Sequence, residues 1–218
     1  MALIALKQID FAYAATLPPV LRGLDLRLEE GERLGLVGPS GSGKSSLLKL
    51  IVGLLTPRAG ALEVFDTPRS APEDFLAVRR RVGLLFQDSD DQLFCPTVLE
   101  DVSFGPLNLG KSGAEAEQIA RETLDALKLD ALAPRITYRL SGGEKRLVAL
   151  AGVLAMQPRV LLLDEPFTGL DEDAIARLIA VLEALSQEML IVSHQQEYLR
   201  QLCPTIRDIR DLQQQRGS

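Results

Sequence analysis

The stretch Gly38-Pro39-Ser40-Gly41-Ser42-Gly43-Lys44-Ser45 constrains the fold more than any other part of the chain. It fits the pattern G-x-x-x-x-G-K-[ST], which needs a strand before it and a helix after it. Arg33-Leu34-Gly35-Leu36-Val37 reads as that strand. Residues 45–55 read as the helix, with Leu47, Leu48, Ile51, Leu54 and Leu55 on one face and Thr56-Pro57 as the stop. Glycines allow backbone N–H groups to turn inward on an anion, and a helix N-terminus adds roughly half a positive charge at the same place. Lys44 is placed to reach β- and γ-phosphates, and the Ser45 hydroxyl to ligate Mg²⁺. A glycine-rich turn without a ligand is the other reading, and the strand and helix around the loop argue against it.

The rest of the chain reads as an α/β organisation around that loop. Residues 2–13 and 20–28 look like two strands, the second alternating through Leu24-Asp25-Leu26-Arg27-Leu28. Tyr13 lies between them, where its ring could stack on a purine or pack against the strands. A short strand over 61–65 and a helix over 72–80 follow. Val82-Gly83-Leu84-Leu85-Phe86 is a continuous apolar run suited to a central parallel strand. It delivers Gln87 to the sheet edge where open α/β sheets bind ligands, so its amide could touch Mg²⁺ or an attacking water, or be a plain turn residue. From 88 to 158 helical patterns replace strands, with helices expected from near Thr97, over 114–128 and from Ser141. Asp88-Ser89-Asp90-Asp91 and Phe104-Gly105-Pro106 are expected as loops of this inserted subdomain. Strands return at Val160-Leu161-Leu162-Leu163, which ends in Asp164-Glu165, and at Leu190-Ile191-Val192-Ser193, which ends in His194. A helix over 172–186 with Asp171 as N-cap joins them. The expected layout is a core with a β subdomain over 1–87 and 159–203, a helical subdomain over 88–158 and a tail over 204–218.

Phosphoryl transfer to water asks for charge neutralisation, a held Mg²⁺ and an oriented water. Asp164 is the candidate for the metal's outer sphere, and Glu165, one residue on, for polarising the water. Capping acids would be the bland account, but their coincidence with an apolar strand and a phosphate loop favours the chemical one. His194, the single histidine, is either structural or a hydrogen-bond partner of a γ-phosphate oxygen. With one His and two scattered Cys there is no cluster suited to a transition metal. Leu140-Ser141-Gly142-Gly143-Glu144-Lys145-Arg146 contains an S-x-x-E capping box at a helix start. That helix start is also a second anion site, which suggests a phosphate contact on a neighbouring subunit.

Composition narrows the partners. A net charge of −6 disfavours nucleic acid. The most apolar region, 147–163, is broken by Gln157-Pro158-Arg159 and falls short of the ~20 residues a membrane span needs. The N-terminus lacks the basic start of a signal peptide. The protein is therefore expected to stay where it is made.

Over residues 3–200 the sequence resembles the nucleotide-binding subunit of ATP-binding-cassette (ABC) transporters. In order it carries an A-loop aromatic (Tyr13), Walker A (38–45), Q-loop (Gln87), signature (140–146), Walker B with its glutamate (160–165), D-loop (Gly169-Leu170-Asp171) and H-loop (His194). The resemblance implies a P-loop NTPase fold: a RecA-like, mostly parallel core, an N-terminal antiparallel β subdomain and an inserted helical signature subdomain. It also implies a head-to-tail dimer holding two ATP with Mg²⁺. Nucleotide contacts are then implied for Tyr13, Gly38, Pro39, Ser40, Gly41, Ser42, Gly43, Lys44, Ser45 and Ser46, and for Ser141, Gly142, Gly143, Glu144 and Asp171. Catalytic roles are implied for Lys44, Gln87, Glu165 and His194, and metal contacts for Ser45, Gln87 and Asp164.

The segment 90–109, with Asp90-Asp91-Gln92-Leu93-Phe94 and Phe104-Gly105-Pro106-Leu107-Asn108-Leu109, is similar to the cobalt/nickel and vitamin energy-coupling-factor ATPases. That likeness implies a second ATPase subunit, identical or related, an integral membrane subunit, a separate membrane protein that binds the solute, and a place on the cytoplasmic face of the membrane. The rival is a soluble ABC ATPase acting on nucleic acid or ribosomes. The compact 44–141 segment, the single cassette and the acidic balance disfavour it. One departure stands out: the family continues past the H-loop into further strands, whereas residues 203–212 show only Ile206, Ile209 and Leu212 and no clear turn.

Overall fold

The computed structural model describes residues 1–213. β1 (Ala2–Phe11) and β2 (Leu21–Glu29) form an antiparallel hairpin, and β4 (Ala59–Val64) pairs with the other edge of β1. β5 (Thr67–Pro68) closes this sheet in the order β2-β1-β4-β5. Leu24, Leu26 and Leu28 are buried while the intervening Asp25 and Arg27 are exposed, so the period-2 pattern of β2 sets which face meets the core.

The second sheet is entirely parallel. Its order is β6 (Val82–Leu85), β7 (Val160–Asp164), β8 (Glu188–Val192), β3 (Arg33–Val37) and β9 (Thr205–Asp208). Both faces are covered. In β7, Val160 and Leu162 enter one core with Leu47, Leu48 and Ile51 of α1 (Lys44–Ile51), whereas Leu161 and Leu163 enter the other with Val148 and Leu178. Burial on two sides explains why β7 and β8 are uninterrupted apolar runs. α1 belongs to the same core as the buried leucines of the antiparallel sheet. α2 (Asp74–Arg79) adds Phe75 and Val78 to that core. On the opposite side lie α6 (Glu172–Ala184), α7 (Gln196–Leu202) and three helices from the middle of the chain. These are α3 (Val98–Asn108), α4 (Gly113–Ala126) and α5 (Gly142–Ala155), each opened by a capping box, at Thr97, Ser112 and Ser141.

Four local expectations are corrected. The first is α1, which ends at Ile51 and not at residue 55. Gly53 takes φ +69°, and a Cβ there would stand 2.2 Å from the Phe75 ring, so the chain turns before Thr56-Pro57 is reached. In the second, β6 is an edge strand and not a central one; Val82 and Leu85 lie in different cores, which is what its apolar run reflects. Third, Phe104-Gly105-Pro106 lies inside α3 and is no loop. Packing of Val102 and Pro106 in the interior outweighs the missing proline N–H. Fourth, residues 205–208, assigned to a tail by the sequence, form β9 and pair with β3 from Leu34↔Thr205 to Val37↔Asp208. The core sheet thus runs past residue 203. The remainder of the expected tail from 214 onward lies outside the described residues.

Candidate functional site

β3 ends at Val37 and α1 starts at Lys44, so residues 38–43 form the connecting loop at the C-terminal edge of the parallel sheet. Gly43 sits at φ +94°, and a Cβ added there would come within 2.4 Å of Leu21. The loop therefore packs tightly against β2 from behind while its front stays open. The Lys44 ammonium donates to the Gly38 and Pro39 carbonyls at 2.9 and 3.0 Å, folded back over the loop. The Ser42 hydroxyl is buried and has no hydrogen-bond partner. A main-chain cradle with a lysine and a spare buried hydroxyl is the donor set a polyphosphate requires.

A cleft of about 550 Å³ opens in front of the loop, lined by Tyr13, Gly38, Ser40, Gly41, Gly43 to Ser46, Gln87, Glu165, Thr168 and His194. The Tyr13 ring packs edge-on against Phe11 at 5.0 Å, and its hydroxyl lies 2.7 Å from Ser46 Oγ. With 62% of the residue exposed, one ring face remains accessible. Packing and an open face coexist here.

Asp164 ends β7 with 3% of its surface exposed and accepts a hydrogen bond from Ser45 Oγ at 2.9 Å. Burial pushes its carboxyl above the usual carboxylate range, and the Ser45 hydrogen bond opposes that shift. A hydroxyl, a buried carboxylate and the nearby Gln87 amide form a hard oxygen set suited to Mg²⁺. Glu165 follows at φ +46°, a left-handed conformation rare for a side-chain-bearing residue. Its N–H donates to the Val192 carbonyl at 2.8 Å, and Oε2 accepts from the His194 N–H at 3.2 Å. The same oxygen lies 2.8 Å from His194 Nδ1. The twist thus brings the ends of β7 and β8 together at one carboxylate.

Gly142 lines an adjoining cleft of about 540 Å³ together with Gln87, Asp164 and Gly169. Ser141, Gly143, Glu144 and Asp171 do not line the Lys44 cleft. Ser141 and Glu144 are engaged in their capping box, with Ser141 N donating to Glu144 Oε2 at 2.8 Å. Asp171 caps α6 by accepting from Ala174 N at 2.8 Å. Val20, Thr168 and Lys49 line these clefts outside any motif of the sequence. Thr168 borders both clefts and donates to Glu165 Oε2 at 3.5 Å. Lys49 borders the second cleft. Thr168 carries a faint signal, falling four residues beyond Asp164 in the loop that follows β7. Lys49 looks like any exposed helix cation.

A family profile described as "ABC transporter" matches residues 21–168. A putative ABC transporter ATP-binding protein of Nitratidesulfovibrio vulgaris is 49% identical over 96% of this chain and 77% of its own length. An energy-coupling factor transporter ATP-binding protein, EcfA, of Methanothermobacter thermautotrophicus is 40% identical over 94% of this chain and 67% of its own. Among solved structures, CbiO1 of Clostridium perfringens, described as part of the ABC transporter complex CbiONQ, superposes with a TM-score of 0.84. It is 29% identical, covering 95% of this chain and 84% of that one.

Proposed function

The chain belongs to the ABC transporter family as an ATP-binding, ATP-hydrolysing subunit, and from that premise we propose that it energises solute uptake through a membrane complex of the energy-coupling-factor type. The observation that carries the proposal is the convergence of Lys44, Ser45, Gln87, Asp164, Glu165 and His194 on one connected pair of clefts.

In this reading the N–H groups of residues 40–46 and the Lys44 ammonium bind the phosphates, and Tyr13 offers its open face to the base. Ser45, Gln87 and Asp164 would hold Mg²⁺, which when bound neutralises charge on the phosphate oxygens. Glu165 takes a proton from the attacking water on its carboxylate, and His194 holds that carboxylate in position. The helix N-terminus at Ser141-Gly142-Gly143, with Glu144 and Asp171, serves the nucleotide of a neighbouring subunit. A head-to-tail dimer of identical or related chains then completes both sites.

The membrane side is read from an apolar groove of about 290 Å³ beside Phe94 and Phe104, whose rings meet edge-on at 4.7 Å. Phe94 is 63% exposed. We assign the groove to a helix of an integral membrane subunit, with a separate membrane protein binding the solute, on the cytoplasmic face of the membrane. A cobalt/nickel or vitamin solute is supported by segment 90–109 and by the likeness to EcfA.

Glu165→Gln is expected to bind ATP with affinity near wild type and to lose turnover roughly 10²- to 10⁴-fold. It should also accumulate as an ATP-dependent dimer in sedimentation; unchanged hydrolysis would remove Glu165 from the role of base. Purification from native membranes should bring an integral subunit and a small membrane protein with the chain. Recovery with ribosomes or nucleic acid in their place would overturn the transport reading.

A further inference from the structure

Arg146 lies in the first turn and a half of α5 with 3% of its surface exposed. Nη1 donates to the Phe86 carbonyl and Nη2 to the Gln87 carbonyl, both at 2.5 Å. Nε is buried without a hydrogen-bond partner. Among the described residues Arg146 forms no ion pair, and Asp88 and Asp164 are the charges that partly offset its burial. Its neighbour Lys145 reaches the same segment, pairing with Asp90 Oδ1 at 2.5 Å.

Stability does not account for this arrangement. Burying a guanidinium with no carboxylate in direct contact costs several kcal/mol that Asp88 and Asp164 offset only in part, and an apolar side chain would avoid that penalty while leaving the Phe86 and Gln87 carbonyls without these donors. What the planar fork supplies and an apolar side chain cannot is direction, because two parallel N–H donors lock two consecutive carbonyls at once. Those carbonyls belong to the residues just past β6. Gln87 lines both the Lys44 cleft and the adjoining one, whereas α5 begins at the Ser141 end. One side chain therefore ties the start of α5 to the backbone of the residue that faces both clefts.

We propose that Arg146 is a positioning residue whose fork sets the Gln87 main chain against the N-terminus of α5. The reach of the Gln87 amide towards the metal-binding set and the presentation of Ser141-Gly142-Gly143 to a neighbouring subunit are then adjusted together. The proposal rests on the roles given above to Gln87 and Ser141. It predicts a defect in Mg²⁺-dependent turnover and not in nucleotide capture, because Arg146 borders the adjoining cleft beside Ser45, Gln87 and Asp164 and does not line the Lys44 cleft.

The test compares Arg146→Met, Arg146→Lys, Gln87→Ala and the Gln87→Ala/Arg146→Met double variant. Three readouts are needed: turnover as a function of Mg²⁺, binding of a fluorescent ATP analogue in EDTA, and amide exchange over residues 86–91. Arg146→Met is expected to lower kcat roughly 10- to 100-fold. It should raise the Mg²⁺ concentration needed for half-maximal rate and speed exchange in 86–91, while Mg²⁺-free nucleotide affinity stays within about twofold of wild type. Arg146→Lys, which keeps the charge but loses the fork, should recover part of the rate. The double variant should be no worse than Gln87→Ala alone.

Wild-type Mg²⁺ dependence in Arg146→Met beside an impaired Gln87→Ala would overturn the proposal, as would additive losses in the double variant. Equal loss of Mg²⁺-free affinity and of kcat would also overturn it, by reducing Arg146 to a general structural role. If Arg146→Met does not fold, the same comparisons are made with Arg146→Lys, which predicts smaller effects in the same direction. An unimpaired Gln87→Ala would instead strike the reading of Gln87 itself, and the proposal with it.

Discussion

Asp164 accepts from Ser45 in a setting where burial has pushed its carboxyl up from the ordinary value of 3.8. An acid whose folded pKa is raised favours the native state when protonated, so its charged form weakens the fold. The penalty is absent below pH 3.8, grows as pH rises to the folded value and is constant above it. Asp164→Asn, which still offers an oxygen to Ser45, is therefore expected to raise the melting temperature of nucleotide-free protein at pH 7, to show no gain near pH 3, and to lose the extra stabilisation that Mg²⁺ with ATP confers. Melting curves at the two pH values and with Mg²⁺-ATP check all three. Glu165 presents a different residue-scale fact. Its adjacency to Asp164 is plain in the sequence, but its left-handed backbone, a strain of about 1–3 kcal/mol, is not. Nothing in the string Leu163-Asp164-Glu165-Pro166 announces it, because it arises from the Val192 carbonyl at the end of β8 and from His194 just beyond that strand.

Helix starts were the most legible elements. Thr97, Ser141 and Asp171 were each readable as an N-cap or helix start, because the side chain that closes a helix lies within three residues of the N–H groups it satisfies. Asp171→Ala should cost about 1 kcal/mol in urea unfolding through the lost bond from Ala174, whether or not it also weakens ATP-dependent dimerisation. Helix interiors and strand positions were less legible. Pro106 reads as a breaker until α3 is seen packed on its neighbours, and α1 ends early through an encounter between Gly53 and the Phe75 ring 22 residues on. An apolar run such as 82–86 reports burial on both faces and is silent about whether the strand is central. β9 is illegible in the sequence because a four-residue edge strand with partly exposed side chains has no pattern of its own.

For the whole molecule, the parallel sheet divides the interior into two cores, one shared with the antiparallel sheet and α1, the other with α3 to α7. Ile209, fully buried just past β9, belongs to the first core and would stand 2.7 Å from a Cβ at Gly38. Ile209→Ala should destabilise by about 2–5 kcal/mol. It should also weaken nucleotide binding, since the phosphate loop rests on that side chain; an equilibrium melt and an ATP-analogue titration would show whether the two losses travel together. The sequence by itself determined the P-loop unit, the α/β class and the meeting of Lys44, Ser45, Gln87, Asp164, Glu165 and His194 at the paired clefts, because each is written in short-range patterns of glycine, apolar run and polar strand end. Only the tertiary structure decided how those ends meet. It set the edge position of β6, the parallel pairing of β9, the Glu165 to His194 contact and the fork from Arg146 to the Gln87 backbone. All of these join residues far apart in the chain, and contacts of that kind depend on how layers pack and not on any local sequence signal.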